Sequence, residues 1–187
     1  MPLSTADLVR LYGDPGRGGV DPAWERANIV DCHGQVAGAR VRPAMPGVPA
    51  AAYFRCHRLV EPHMREGFQR TRRDAPGFKI ERAGGFNYRH MRDDPTMPLS
   101  QHGRGIAVDL NSSANKARYF KRGQAPAAWS AAWLKLWPIE AGGITRAVVD
   151  AWKACGFRWG GDWDNDDQTT DEVYVDPMHL EYTLRAP

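Results

Sequence analysis

Ser100-Gln101-His102-Gly103-Arg104-Gly105-Ile106-Ala107-Val108-Asp109 sets an imidazole and a carboxylate seven positions apart, with two glycines between them. Its second half reads as a strand. Ile106, Val108 and Leu110 alternate with Gly105, Ala107 and Asp109, the period of two at which side chains change face. Asp109 therefore shares a face with two very small residues, which leaves room in front of its carboxylate for an ion and a substrate. Gly103 and Gly105 accept backbone angles that other residues resist, so His102 can turn back towards Asp109.

A second stretch near the C-terminus, Asp176-Pro177-Met178-His179-Leu180-Glu181-Tyr182, supplies another imidazole. Two histidines and one carboxylate make a usual catalytic zinc set, with water in the fourth position. Magnesium or calcium would want more carboxylates and carbonyls. A zinc-bound water needs a base. Asp176, three residues before His179, is the first candidate. From His179 onward the chain alternates, with His179, Glu181 and Thr183 on one face and Leu180, Tyr182 and Leu184 on the other. Glu181 is thus a rival base, or a group that holds the second nitrogen of a zinc-bound histidine.

The pattern Ser-x-His-x-x-Gly-x-Ala-x-Asp, followed late by acid-x-x-His, resembles the zinc D-alanyl-D-alanine carboxypeptidase and L-alanyl-D-glutamate endopeptidase family. Gly84-Gly85-Phe86-Asn87-Tyr88-Arg89 and Cys155-Gly156-Phe157-Arg158-Trp159-Gly160-Gly161-Asp162-Trp163 are similar to its phage endolysin branch. The resemblance runs from Leu59 to Thr183 and does not reach the first fifty residues. It implies one zinc ion held by His102, Asp109 and His179, with Asp176 as general base. Arg89 would stabilise the oxyanion; the plain alternative is a surface arginine paired with Asp93 or Asp94. Ser100 would bind substrate or orient the His102 loop, and Trp163 and Asp164 would line the cleft. The implied substrate is a peptidoglycan stem peptide. The endolysin-like flanks favour the L-Ala–D-Glu bond, with D-Ala–D-Ala carboxypeptidase activity as the near alternative. A non-catalytic wall-binding module that keeps a structural zinc is the alternative from another class.

Composition agrees with a folded enzyme. The 187 residues are 42% hydrophobic with seven tryptophans, enough for one domain with a sizeable core. A formal net charge of +3 gives mild affinity for acidic partners, peptidoglycan among them. Basic residues are scattered, without helix-turn-helix or finger spacing, so no nucleic-acid partner is expected. The three cysteines, Cys32, Cys56 and Cys155, read as free thiols. No secretory signal and no transmembrane stretch is seen. The expectation is a monomer without a membrane partner, cytoplasmic until another protein opens the way to the wall.

The fold expected is α+β: a small, mainly antiparallel sheet carries the ligands, and helices pack on its other side. Residues 1–50 form an extension packed on the core, and 51–187 the peptidase domain. Thr5 caps a short helix, Ala6 to Tyr12, that ends at Gly13. Asn28 to Val30 and Gln35 to Val41 are short strands. Ala50 to Asp74 is mostly helical, the main helix starting at Pro62 with Met64 and Phe68 inward and His57 and His63 solvated. The Asp31-x-His33 pair reads as a turn feature. Phe78 to Arg82 is a strand, Asn111 to Gln124 a polar loop, and Pro126 to Trp137 a helix whose tryptophans pack inward. Thr145 caps the clearest helix, which ends at Cys155 with Gly156 as its stop. Asp164 to Glu172 reads as a loop.

Overall fold

The computed structural model describes residues 3–32, 40–49, 54–163 and 172–183. Helix α1 (Thr5–Tyr12) opens on a capping box: Ser4 accepts from the Asp7 amide and the Asp7 carboxylate reaches back to Ser4. The cap is therefore Ser4 rather than Thr5, and Gly13, at φ 76°, ends the helix. Helix α2 (Pro22–Asn28) is capped by Asp21 and leads into β1 (Ile29–Asp31). β1 pairs in parallel with β2 (Arg40–Val41) and antiparallel with β3 (Arg55–His57). His33 of the Asp31-x-His33 pair and residues 35–39, most of the expected Gln35–Val41 strand, lie outside the described residues.

Two expectations fail at β3. Arg55–His57 is strand, not helix, because its backbone groups pair with β1. His57 is fully buried, not solvated. Its Nε2–H donates to the Tyr12 carbonyl at 3.3 Å and its Nδ1 accepts from the Leu59 amide at 3.2 Å. Both ring nitrogens are thus satisfied, and burial holds the imidazole down at about 4, so it stays neutral.

Helix α3 (Glu61–Asp74) begins with Pro62 in its first turn, where a missing N–H costs nothing. Met64 and Phe68 are fully buried, as their spacing predicts. The segment 78–82 does not pair as a strand; the ladder begins only at β4 (Ala83–Gly84). A side chain takes the partners a strand would need. Asn111 accepts from the amides of Glu81 and Arg82 and donates to the Lys79 carbonyl. Asn111 sits at φ 46°, a conformation asparagine tolerates better than most.

A 3-10 turn, Gln101–Arg104, then delivers the chain to β5 (Ala107–Leu110). The polar segment after it is not all loop. β6 (Arg118–Lys121) pairs with a strand that enters last but one. Helix α4 (Ala131–Leu136) is shorter than the tryptophan spacing suggests. Ser130 caps it by accepting from the Trp133 amide, and Trp129 before it is left-handed at φ 68°. Trp133 and Trp137 are buried, while Trp129 stacks on Trp159 at 5.0 Å and 13°. Helix α5 (Arg146–Lys153) is capped by Thr145, and Gly156 follows it at φ 89°. β7 (Phe157–Trp159), β8 (Glu172–Val175) and β9 (His179–Tyr182) complete the chain.

The central sheet has the order β4-β5-β9-β7, antiparallel throughout, and β6 with β8 forms a separate ribbon. Val108 pairs with Leu180, and Trp159 with Leu180 on the other side. Those residues, with Leu110, Phe157 and Tyr182, form the apolar face. Helices α3 and α5 cover it: Phe68 meets Trp152 edge-on, Trp152 meets Phe157, and Phe157 meets Tyr182. The two helices approach closely at Gly67, where a Cβ would stand 2.8 Å from the Trp152 ring. The opposite face carries Asp109, His179, Glu181 and Arg158. The fold is α+β, as the alternation predicts. Among the described residues, no helix is long and apolar enough to cross a membrane.

Candidate metal centre

Asp109 and His179 stand directly opposite one another on β5 and β9. This register places an oxygen, Asp109 Oδ1, 3.0 Å from His179 Nδ1. His102 reaches the same point from the 3-10 turn. Its Nε2 lies 3.1 Å from Asp109 Oδ1 and 3.1 Å from His179 Nδ1. Ser100 caps that turn, its hydroxyl accepting from the His102 amide at 3.3 Å. Gly105 closes it in the left-handed region at φ 71°.

The outward nitrogen of each ring fixes what the inward one offers. His102 Nδ1 lies 2.8 Å from the Gly85 carbonyl. A carbonyl only accepts, so Nδ1 carries the proton and Nε2 of a neutral ring presents a lone pair. His179 Nε2 faces the Glu181 carboxylate at 3.4 Å, which likewise favours a lone pair on Nδ1. Three acceptors therefore converge with no donor between them. Ligand atoms around a tetrahedral ion bound at about 2.0–2.1 Å stand roughly 3.3 Å from each other, close to the spacing seen. The donor set, two imidazoles and one carboxylate, fits zinc. Among the described residues, His102, Asp109 and His179 are the group whose ligand atoms could hold a metal ion.

A proton is the competitor for that place. Burial pushes His179 down, yet the Asp109 and Glu181 carboxylates outweigh it and lift the imidazole to about 10. Burial raises the Asp109 carboxyl, but His102 and His179 together hold it well below the usual carboxylate range. Burial raises the Glu181 carboxyl, but His179, with help from Arg158, outweighs it and holds the group low.

Asp176 sits in the turn before His179, whose amide donates to the Asp176 carbonyl at 3.1 Å. Its side chain is buried. Oδ2 accepts from the Tyr174 hydroxyl at 3.3 Å, and Oδ1 has no hydrogen-bond partner among the described residues. Burial raises its carboxyl to about 6. Arg89 lies with His102 and Asp109 along a cleft of about 330 Å³, whose other wall is Gly84 to Asn87. Among the described residues no carboxylate pairs with the Arg89 guanidinium, so the alternative partners Asp93 and Asp94 are not used. Trp163 packs against His179, with ring centroids 5.2 Å apart. Asp164 lies outside the described residues. A larger hollow of about 450 Å³, over Lys116, Arg118 and Trp137, shares no residue with the ligand cluster, and among the described residues no group of ligating side chains meets there.

Three contributors escape the sequence reading. Gly85 acts through its carbonyl, which no side-chain pattern announces. Tyr174 was open to detection: two residues before Asp176 in an extended strand, it projects from the same face. Arg158 stands opposite Glu181 in register, with its guanidinium 5.8 Å from the Trp163 ring; only the strand pairing reveals it.

No curated protein and no solved structure matches the chain. Residues 93–182 match a family model described as D-alanyl-D-alanine carboxypeptidase. The matched stretch contains His102, Asp109, Asp176 and His179 and leaves out Arg89. Over that stretch, a little under half of the chain, the protein is similar to the peptidases of that family.

Proposed function

We propose that the protein is a zinc-dependent peptidoglycan peptidase that hydrolyses an amide bond of the stem peptide, the L-Ala–D-Glu bond by preference, in the manner of a phage endolysin. The observation that carries this reading is the convergence of His102, Asp109 and His179 beside a buried Asp176 oxygen left without a partner. When bound, zinc supplies a Lewis acid for the scissile carbonyl and acidifies a water. Asp176 Oδ1 takes the proton of the attacking water and returns it to the leaving amine; the burial that raises this carboxyl in the metal-free centre favours its holding that proton between the two steps. The Tyr174 hydroxyl steadies Oδ2 in the meantime. Arg89 donates to the developing oxyanion from the cleft wall. Glu181 and Gly85 hold the two imidazoles in the orientation that ligation requires, and Ser100 holds the turn beneath His102. No covalent intermediate is needed. Such an enzyme would remain in the cytoplasm until the membrane is opened.

The family description favours a second reading, D-Ala–D-Ala carboxypeptidase, with the same chemistry at another bond. Mass spectrometry of muropeptides after digestion of purified walls by the zinc-loaded protein separates the two. New D-Glu amino termini support the endopeptidase, and loss of the terminal D-Ala supports the carboxypeptidase. Walls that are bound but yield no new termini would make the protein a binding module instead.

A further inference from the structure

The β6–β8 ribbon turns two different faces to its surroundings. Val173 and Val175 are buried, and Phe120 packs towards Trp137. The other face carries Tyr119 and Tyr174, directly opposite in register with ring centroids 4.8 Å apart. Lys121 and Glu172 continue that face and are exposed. The Tyr119 side of the ribbon ends in an aromatic ring 50% exposed, the most exposed aromatic side chain among the described residues.

The rings do not stop at the ribbon. Tyr174 lies 6.0 Å from Trp163, and Trp163 lies 5.2 Å from His179. An aromatic path thus runs from a metal ligand to the surface, with the Arg92 guanidinium 5.5 Å from the Tyr119 ring at its outer end. Tyrosine and tryptophan present a flat apolar face with a polar tip. A pyranose ring offers the complement: apolar C–H faces and a rim of hydroxyl and acetamido groups, which Arg92, Lys121 and the Tyr119 hydroxyl can meet.

Resting on the peptidase reading above, we propose that Tyr119 and Tyr174 form a subsite for the N-acetylhexosamine ring that carries the stem peptide, so that the enzyme prefers glycan-linked stem peptides to free ones. The ring contacts from Tyr119 through Tyr174 and Trp163 to His179 are what commit the surface to this occupant: a sugar covalently tied to a stem peptide bound at His179 is the group they would bring there. Tyr119 is the specificity-determining residue, since Tyr174 also touches Asp176.

The test compares kcat/KM of the zinc-loaded protein on an N-acetylmuramoyl stem peptide and on the same peptide without sugar. Wild type should favour the sugar-bearing substrate by about tenfold, the worth of one good ring contact. Tyr119→Ala should bring the ratio close to one and leave the sugar-free rate unchanged; Tyr119→Phe, which keeps the ring, should keep the preference. Equal rates in wild type would overturn the proposal. So would a Tyr119→Ala loss shared equally by both substrates. If neither peptide is cut, the peptidase reading fails by itself, and binding of the two peptides decides the subsite: a sugar-dependent affinity that Tyr119→Ala removes supports it, and equal affinities overturn it.

Discussion

The Gly85 carbonyl oxygen lies 2.8 Å from His102 Nδ1, and this contact sets which nitrogen of His102 faces Asp109 and His179 as an acceptor. The backbone that supplies it is itself pressed against β3. A Cβ on Gly85 would stand 2.2 Å from the Arg55 carbonyl oxygen, and the next amide, that of Phe86, donates to the same oxygen. Gly85→Ala must therefore displace the anchor of a candidate metal ligand. We expect a loss of metal affinity of about 10- to 100-fold, the usual effect of disturbing an outer partner of a ligating histidine. Gly84→Ala is the control, because its Cβ would meet only Asp109 Cβ at 3.8 Å, an ordinary contact. Chelator competition on both variants is the measurement, and equal affinities would refute the anchoring role.

Metal removal should destabilise the protein measurably. Three acceptors within about 3 Å of one another repel unless a cation or a proton lies between them. An ion present at a thousand times its Kd stabilises the folded state by about 4 kcal/mol. For a domain of this size, 1 kcal/mol moves the melting temperature by roughly 2–4 °C. Calorimetry with and without a chelator should then differ by on the order of 10 °C at neutral pH. Identical melting curves would mean that no ion occupies the centre.

Asp176 connects stability to catalysis. Its folded carboxyl is raised from 3.8 to about 6, burial being the main cause. Folding therefore favours the protonated form. In the metal-free protein its contribution to stability is complete below pH 3.8 and is lost as pH rises through about 6. At pH 7, Asp176→Asn should accordingly be more stable than wild type by about 2–3 kcal/mol, and the gain should fade towards pH 4. The same substitution should cost about 10²–10⁴ in kcat while the metal content stays at about one per chain. A variant with unimpaired turnover would remove Asp176 from the mechanism.

Arg89 should act on the rate and not on the metal. Losing an oxyanion donor costs about 10²–10³ in kcat. Arg89→Ala should show that loss with unaltered metal affinity, and Arg89→Lys should recover part of it, since the charge returns without the planar fork. Metal affinity falling in step with activity would mark Arg89 as structural.

The sequence by itself determined which side chains make up the candidate metal cluster, His102, Asp109 and His179, and the division of the sheet into two faces. Asp109 and His179 lie in strands whose alternation is local, so the face on which each side chain emerges is fixed by the period of two. Val108, Leu110, Leu180 and Tyr182 follow from the same rule, and the cap at Thr145 follows from its hydroxyl, which accepts from the Val148 amide. Tertiary structure decided whatever depended on partners distant along the chain. His57 has the composition of a solvated residue and is buried because α1 and α2 close over it. Residues 78–82 alternate like a strand, yet the Asn111 side chain takes their amides. Tyr119 lies in a polar stretch that becomes a strand only when β8 arrives beside it. Periodicity records which way a side chain points from its own backbone; which backbone comes to lie opposite is set by closure of the whole chain, and that is where the ligand orientation and the aromatic path to His179 were made.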